Sequence, residues 1–217
     1  MRRNLFIFIL TFFAIPLKAQ ILSEDFNSGS IPANFTTYDL DGSIIDPFLS
    51  PFMPTTASFV NVNYMGAIFA GSASLFTPPG TADKWMVTSA ISLSNNSVPK
   101  TLLFDVSSGD MAGMDGVEIY VSTTGNTPTD FLATIALYNS TGIGEPYIGQ
   151  GWATRDIDIT AYSGQTIYIA FRNNNYNKLV IGIDNISVFE LSDNNAELTS
   201  LNFPQYTTIP ALIDIEG

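Results

Sequence analysis

Residues 165–172 read QTIYIAFR, and this stretch decides the fold class. In an extended chain Ile167, Ile169 and Phe171 fall on one side, while Tyr168 and Arg172 fall on the other. Apolar residues at every second position are typical of a β-strand that packs one face on a core and turns the other toward solvent. The stretch therefore predicts a strand of an antiparallel sheet.

The same alternation recurs along the chain. Residues 116–123, GVEIYVST, place Val117, Ile119 and Val121 on one face and Glu118, Tyr120 and Ser122 on the other. Further strands are predicted at 21–26, 58–64, 84–93, 100–107, 131–137, 152–160 and 179–191, separated by segments that contain Gly, Pro, Asn, Asp or Ser. No stretch keeps a helical spacing. The pattern predicts an all-β fold, an antiparallel jelly-roll β-sandwich of about nine to twelve strands.

The last predicted strand contains a change of parity. Ile181 and Ile183 share one parity, whereas Ile186 and Val188 share the other. An inserted residue at a β-bulge produces this slip, and so a bulge is predicted at Asp184-Asn185. A central strand buried on both faces would explain the pattern equally well, because parity then means little.

The chain begins with the features of a secretory leader. Residues 1–20 combine Arg2 and Arg3 with an apolar run over 5–15, which predicts a signal peptide. That run is too short to favour a membrane-spanning helix, so no membrane insertion is expected. The folded domain is predicted over residues 21–191. Residues 192–217 are predicted to be a linker and the start of a truncated second β module, or a tail.

Charge and missing residue types exclude several functions. The chain has 8 basic and 20 acidic residues, and the leader holds three of the basic ones, which leaves a formal charge of −15 after its removal. Such a surface repels nucleic acid and anionic lipid, and it attracts cations. The chain has no His and no Cys, which excludes imidazole-dependent triads and zinc sites. A carboxylate-based hydrolase and a purely structural spacer stay open.

Two sets of residues are candidates for binding. Residues 38–42, YDLDG, form a tight acidic turn whose Asp39 and Asp41 could supply the hard oxygens that calcium prefers, or could form a solvated Asx turn. Trp152 and Tyr176, with Asn174 nearby, lie in Asn- and Gly-rich segments. Aromatic faces beside amide groups suit sugar rings, although core or edge packing of these aromatic side chains is the competing interpretation.

An ordered series of short motifs resembles one protein family. The motifs are SEDFN at 23–27, IP at 31–32, YDLDG at 38–42, DKWMVTS at 83–89, DGVEIYVS at 115–122, Trp152 with Arg155, IAFRNN at 169–174 and IDNI at 183–186. In this order they resemble the cleaved-adhesin, or choice-of-anchor J, domains of Bacteroidetes secreted proteins. The resemblance covers nearly all of residues 21–191.

The resemblance implies a jelly-roll sandwich related to MAM-type domains and to the haemagglutinin/adhesin modules of gingipain proteases. Such modules are generally non-catalytic and often bind calcium. Carried over by position, the calcium ligands would be Glu24, Asp39, Asp41 and Asp184. They would meet if the first and last strands lie close together, and without a cation they would repel one another.

The function implied is a secreted or cell-surface, non-catalytic adhesion module that binds a glycan or an extracellular protein. The alternative is a carbohydrate-binding accessory domain of a secreted hydrolase. Trp152, Asn174 and Tyr176 are the predicted ligand-binding residues. The family also implies further domains in a longer parent chain, with residues 192–217 opening an immunoglobulin-like module, and export by type IX secretion.

Overall fold

A computed structural model describes residues 18–109, 114–140 and 145–191. Most of the predicted signal peptide and all of residues 192–217 lie outside the described residues. None of the described helices has the length and apolar character needed to cross a membrane.

Twelve described strands form two antiparallel sheets of six strands each. The first sheet has the order β10-β7-β12-β4-β3, and β1 also pairs with β12. Its strands are β1 (Lys18–Glu24), β3 (Val60–Tyr64), β4 (Ala67–Ala73), β7 (Lys100–Ser108), β10 (Ala153–Asp158) and β12 (Val180–Leu191).

The second sheet has the order β2-β5-β11-β8-β9, and β6 also pairs with β11. Its strands are β2 (Phe35–Asp39), β5 (Lys84–Thr88), β6 (Ile91–Ser92), β8 (Glu118–Ser122), β9 (Tyr138–Asn139) and β11 (Thr166–Asn173). Between the two sheets lies the main core, in which Phe104, Ile119, Ile169 and Phe171 are fully buried. The predicted all-β sandwich is confirmed.

The predicted bulge is also confirmed. The pairing of β12 with β7 shifts in register between Asp184 and Ser187, and Asn185 has a φ of 48°. Because of this extra residue, Ile183 and Ile186 both face the main core and both are fully buried. On its other edge β12 pairs with β4 before the bulge and with β1 after it. β12 is therefore a central strand as well as a bulged one.

Two expectations from the sequence were wrong. Residues 131–137 do not form a strand: a short helix, α1 (Pro128–Leu132), begins after Thr127. Asp130 accepts hydrogen bonds from the N–H and the hydroxyl of Thr127, and proline suits the first helical turn. The second face of β8 is not solvated either, because a cluster containing Trp85, Tyr120 and Phe131 covers it.

The sequence also left three strands unassigned, namely β2, β4 and β9. β4 reads AIFAGSA, and its small residues hide the alternation. β9 has only two residues, too few to show a period.

Candidate functional site

The outer face of the first sheet carries a second apolar cluster at one end. Phe69 in β4 and Val180 in β12 belong to this cluster, whereas their neighbours Ala70 and Ile181 belong to the main core. Successive side chains of a strand point to opposite faces, so this cluster lies on the side of the sheet away from the sandwich. The segment over residues 45–57 covers part of it through Leu49 and Met53.

A groove of about 620 Å³ remains open beside this cover. We call it the outer-face groove, and it is lined by Phe48, Leu49, Pro51, Phe52, Met53, Val62, Tyr64, Phe69, Gly109, Tyr147, Ile148, Leu179 and Val180. None of these described lining residues is charged. Phe48 and Phe52 are 70% and 41% exposed, and the Phe52 ring packs edge-on against Tyr64 with ring centroids 5.2 Å apart.

A glycine makes room for two aromatic rings in the second apolar cluster, one of which, Phe69, also lines the groove. A Cβ added to Gly182 in β12 would lie 2.8 Å from Cη2 of Trp152 and 2.9 Å from Cδ2 of Phe69. The rings of Trp152 and Phe69 meet edge-on, with centroids 5.2 Å apart. The two rings therefore cover the sheet because residue 182 has no side chain.

The three predicted ligand-binding residues are not gathered into one aromatic platform. Trp152 is half-buried and packs on the second apolar cluster, which fits the packing interpretation. Tyr176 is 59% exposed and lies in the β11–β12 connection, where its backbone bridges to Thr81. Asn174 is half-buried beside it. Within the described residues, no ring contact joins Trp152 to Tyr176.

Sequence reasoning missed the lining of the outer-face groove. Residues 46–54, DPFLSPFMP, supply one wall. Their signal was an apolar, Pro-rich stretch with no alternation, and such a stretch indicates an irregular segment packed on another surface. Because apolar and polar residues do not alternate in this stretch, the strand period does not reveal it.

Glu24 and Asp184 lie in an acidic group at the β12 bulge, which we call the bulge cluster: Glu24, Asp25, Asp105 and Asp184. Burial raises the pKa of Asp184 to about 6, and the negative charges of Asp105, Asp25 and Glu24 add to the rise. Asp184 in β12 pairs with Asp105 in β7, and Glu24 in β1 pairs with Ile186 just after the bulge. The expected approach of the first and last strands is present.

Asp39 and Asp41 lie at the end of β2, beside the first residue of β5. The Lys84 ammonium is 2.9 Å from Oδ2 of Asp39 and 3.5 Å from Oδ2 of Asp41. Burial works to raise the pKa of Asp41, but the backbone N–H groups of Asp83 and Ser43 and the Lys84 charge outweigh it and hold that pKa below its usual value. The single charge of the Lys84 ammonium therefore offsets part of the negative charge of this pair of carboxylates.

The four predicted calcium ligands thus fall into two environments. Asp39 and Asp41 contact an internal cation, whereas Glu24 and Asp184 have acidic neighbours. In the part of the chain that the structure describes, no group of three or more acidic side chains is close enough to hold a metal ion. The calcium set stays a prediction.

Asp115, which the sequence analysis did not assign to a site, is completely buried. Its Oδ2 accepts hydrogen bonds from Ser74 and Asn173, and its Oδ1 accepts one from the N–H of Gly116. Burial outweighs these bonds and raises the pKa of Asp115 to about 7. These buried hydrogen bonds join the residue after β4 and the segment before β8 to the last residue of β11, which indicates a structural role for Asp115.

Comparison with known proteins assigns the family. Residues 19–188 match the family model described as Cleaved Adhesin Domain. The chain belongs to the cleaved adhesin domain family. The resemblance seen in the sequence motifs is therefore confirmed.

Individual cleaved adhesin domains share the fold. The K3 domain of Lys-gingipain from Porphyromonas gingivalis W83 has 26% identity and a TM-score of 0.59, over 79% of this chain and 98% of that one. The K1 domain of the same protein also has 26% identity, with a TM-score of 0.57 over 77% of this chain and 96% of that one.

Hemagglutinin A of Porphyromonas gingivalis W83 is 28% identical over 72% of this chain. The matched part is only 8% of that relative's length. The activities of such a whole protein therefore enter here only as proposals.

Proposed function

We propose that this cleaved adhesin domain is a non-catalytic module of a secreted or surface-displayed protein, and that it binds an uncharged patch of a glycan or extracellular protein through the outer-face groove. One observation carries the proposal: a groove of about 620 Å³ with aromatic walls and no charged residue among the described lining. Ligand sites of proteins are commonly concave, mostly apolar and of this size.

The composition of the chain makes this groove distinctive. The protein has a formal charge of −12, yet acidic residues are absent from the described groove lining. Aromatic enrichment with depletion of charge is typical of the central part of a binding interface. Phe48 and Phe52 are exposed at the rim of the groove. Exposed apolar side chains that lie together often mark a binding surface, because a partner can bury them.

The groove leaves glycan and protein ligands both open, and its chemistry limits each. Tyr64 and Tyr147 bring the only side-chain hydroxyls to the described lining, so a sugar would bind mainly by ring stacking. A protein ligand would insert apolar side chains between Phe48 and Phe52.

The test compares binding of the purified domain with that of groove variants. Phe48→Ser and Phe52→Ser should each lower affinity at least about tenfold, since removing one buried aromatic contact costs more than about 1.4 kcal/mol. The probes are a panel of neutral polysaccharides and a panel of immobilised extracellular proteins, read by biolayer interferometry. Ile135→Ser is the matched control, because Ile135 is 87% exposed and lies outside the groove lining.

Two outcomes would contradict the proposed site. Binding that survives both groove substitutions places the ligand elsewhere. Binding that is lost on Tyr176→Ala instead returns the site to the residues predicted from the sequence. If the domain binds polysaccharides but none of the extracellular proteins, the result would support the alternative that it is a carbohydrate-binding accessory domain.

We also propose that calcium binds at the bulge cluster. Glu24 and Asp184 match the carried-over positions, and Asp25 and Asp105 add carboxylates without a basic partner among their described contacts. Calcium prefers such oxygen donors, and its charge would offset their mutual repulsion. The side chains would have to draw closer to form a complete set.

Thermal unfolding with EDTA or millimolar calcium tests this second proposal. Calcium at about a hundred times its dissociation constant should stabilise the domain by roughly 2.7 kcal/mol. Asp184→Asn should abolish that gain, whereas Asp156→Asn, an exposed acidic residue of β10, should keep it. Identical melting curves with EDTA and with calcium would rule out the bulge cluster as a calcium site.

A further inference from the structure

Lys84 is a fully buried lysine in a chain with few basic residues. It is 0% exposed and begins β5, where its backbone pairs with Asp39 of β2. Only 8 of the 217 residues are Lys or Arg. Burying an ammonium group is costly unless it is paired and hydrogen-bonded. The cost of burying the Lys84 ammonium must therefore be offset by nearby groups.

The surroundings of the Lys84 ammonium are those of a cation site. Asp39 and Asp41 each present Oδ2 to it, at 2.9 and 3.5 Å. The Lys84 ammonium also lies over the ring of Phe76, with Nζ 5.2 Å from the ring centroid. Two carboxylates and one aromatic face thus satisfy the positive charge away from water.

The remaining carboxylate oxygens at the turn are also occupied. Oδ1 of Asp39 accepts from the N–H of Gly42, and Oδ1 of Asp41 accepts from the N–H of Ser43. Oδ2 of Asp41 accepts as well from the N–H of Asp83. A calcium ion at this turn would meet the repulsion of the ammonium in the same place.

We infer that the Lys84 ammonium is the built-in counter-cation of the acidic turn, in the position where the family resemblance led us to expect calcium. Asp39 and Asp41 are therefore not metal ligands in this protein. The turn stays folded without calcium, whether or not calcium binds at the bulge cluster. Removal of the ammonium converts the turn into a site for a divalent cation.

A second buried lysine provides the matched control. Lys100 is also 0% exposed, and its ammonium donates to the backbone oxygens of Asn96 and Val98 and to the side-chain oxygen of Asn96. These oxygens are neutral carbonyl groups. Loss of Lys100 therefore removes a buried charge without leaving a pair of carboxylates behind.

The experiment measures melting temperatures of Lys84→Gln and Lys100→Gln, both in an Asp184→Asn background that removes the bulge cluster. In EDTA each lysine variant should melt roughly 5–10 °C lower than its background, because the buried oxygens that accept hydrogen bonds from the ammonium lose their donor. Calcium or terbium should restore at least half of the loss in Lys84→Gln and none of it in Lys100→Gln. The background variant makes this result independent of the calcium proposed at the bulge.

Failure of either cation to restore Lys84→Gln would overturn the inference, and so would equal restoration of Lys100→Gln. If Lys84→Gln does not fold, calorimetric calcium titration of the protein with Lys84 intact decides. Asp39→Asn should leave the number of calcium ions bound per chain unchanged. Loss of one bound calcium in that variant would show that the turn is a metal site.

Discussion

Asp115 shows how one residue can shape the pH response of the whole domain. It is completely buried, and its described partners are two side chains without charge and the backbone N–H groups of Gly116 and Ser74. Burial raises its pKa to about 7. Between the unfolded value of 3.8 and this value, the folded state keeps a proton that the unfolded state has lost. The contribution of Asp115 to stability is thus full at low pH and is lost as the pH rises toward 7.

We expect the free energy of unfolding to fall by roughly 2–4 kcal/mol between about pH 4 and pH 8 on account of this group. In Asp115→Asn, the side chain cannot ionise, so this part of the slope should disappear. Urea unfolding at a series of pH values measures it. Parallel pH profiles for the two proteins would show that Asp115 does not titrate in this window.

At the scale of the element, β12 combines three roles that its sequence only partly shows. It is the central strand of the first sheet, it changes partner from β4 to β1 at its bulge, and its Gly182 admits the rings of Phe69 and Trp152. The bulge is readable from parity. The role of Gly182 cannot be predicted from the sequence of β12, because it depends on the rings of Phe69 in β4 and of Trp152, the residue before β10.

Gly182→Ala should therefore lower the free energy of unfolding by about 1–3 kcal/mol, since the new methyl group would overlap both rings. Gly80→Ala is the matched control. Its added Cβ would have ordinary contacts of 3.6 Å with Ser43 and 3.7 Å with Phe76, so a change within about 0.5 kcal/mol is expected. Urea denaturation of both variants measures the difference. Equal losses in the two variants would refute the packing role of Gly182.

For the whole molecule, the dominant feature is its excess of negative charge. The formal charge is −12, and every described ion pair includes one of only three basic residues, Lys84, Arg155 and Arg172. Most acidic side chains therefore repel one another through solvent, which works against the compact state. This repulsion is screened by salt over a distance of about 8–10 Å at physiological ionic strength.

In EDTA, raising NaCl from about 20 mM to about 300 mM should increase the melting temperature by roughly 2–5 °C. Differential scanning calorimetry measures the shift. Choline chloride at the same ionic strength should give the same increase, because screening needs no specific cation. A rise with NaCl alone would point to sodium binding, and a fall would contradict the repulsion.

The sequence by itself determined the fold class and the family. Alternation in β8 and β11 predicts strands because the strand period is two, and the parity slip at Asp184-Asn185 marks a bulge for the same reason. Composition alone excluded imidazole and thiol chemistry, because the chain has neither His nor Cys. The strand and bulge predictions are local, since each depends on residues that are neighbours along the chain.

Only the tertiary structure decided which side chains meet. It brought Lys84 between Asp39 and Asp41, grouped Glu24 with Asp184, and opened the outer-face groove between residues 46–54 and the first sheet. Lys84 lies 45 residues from Asp39 along the chain, and no local period links them. Charge pairing and burial act across space. A candidate metal set read from the sequence therefore could not reveal that half of it already had a cation.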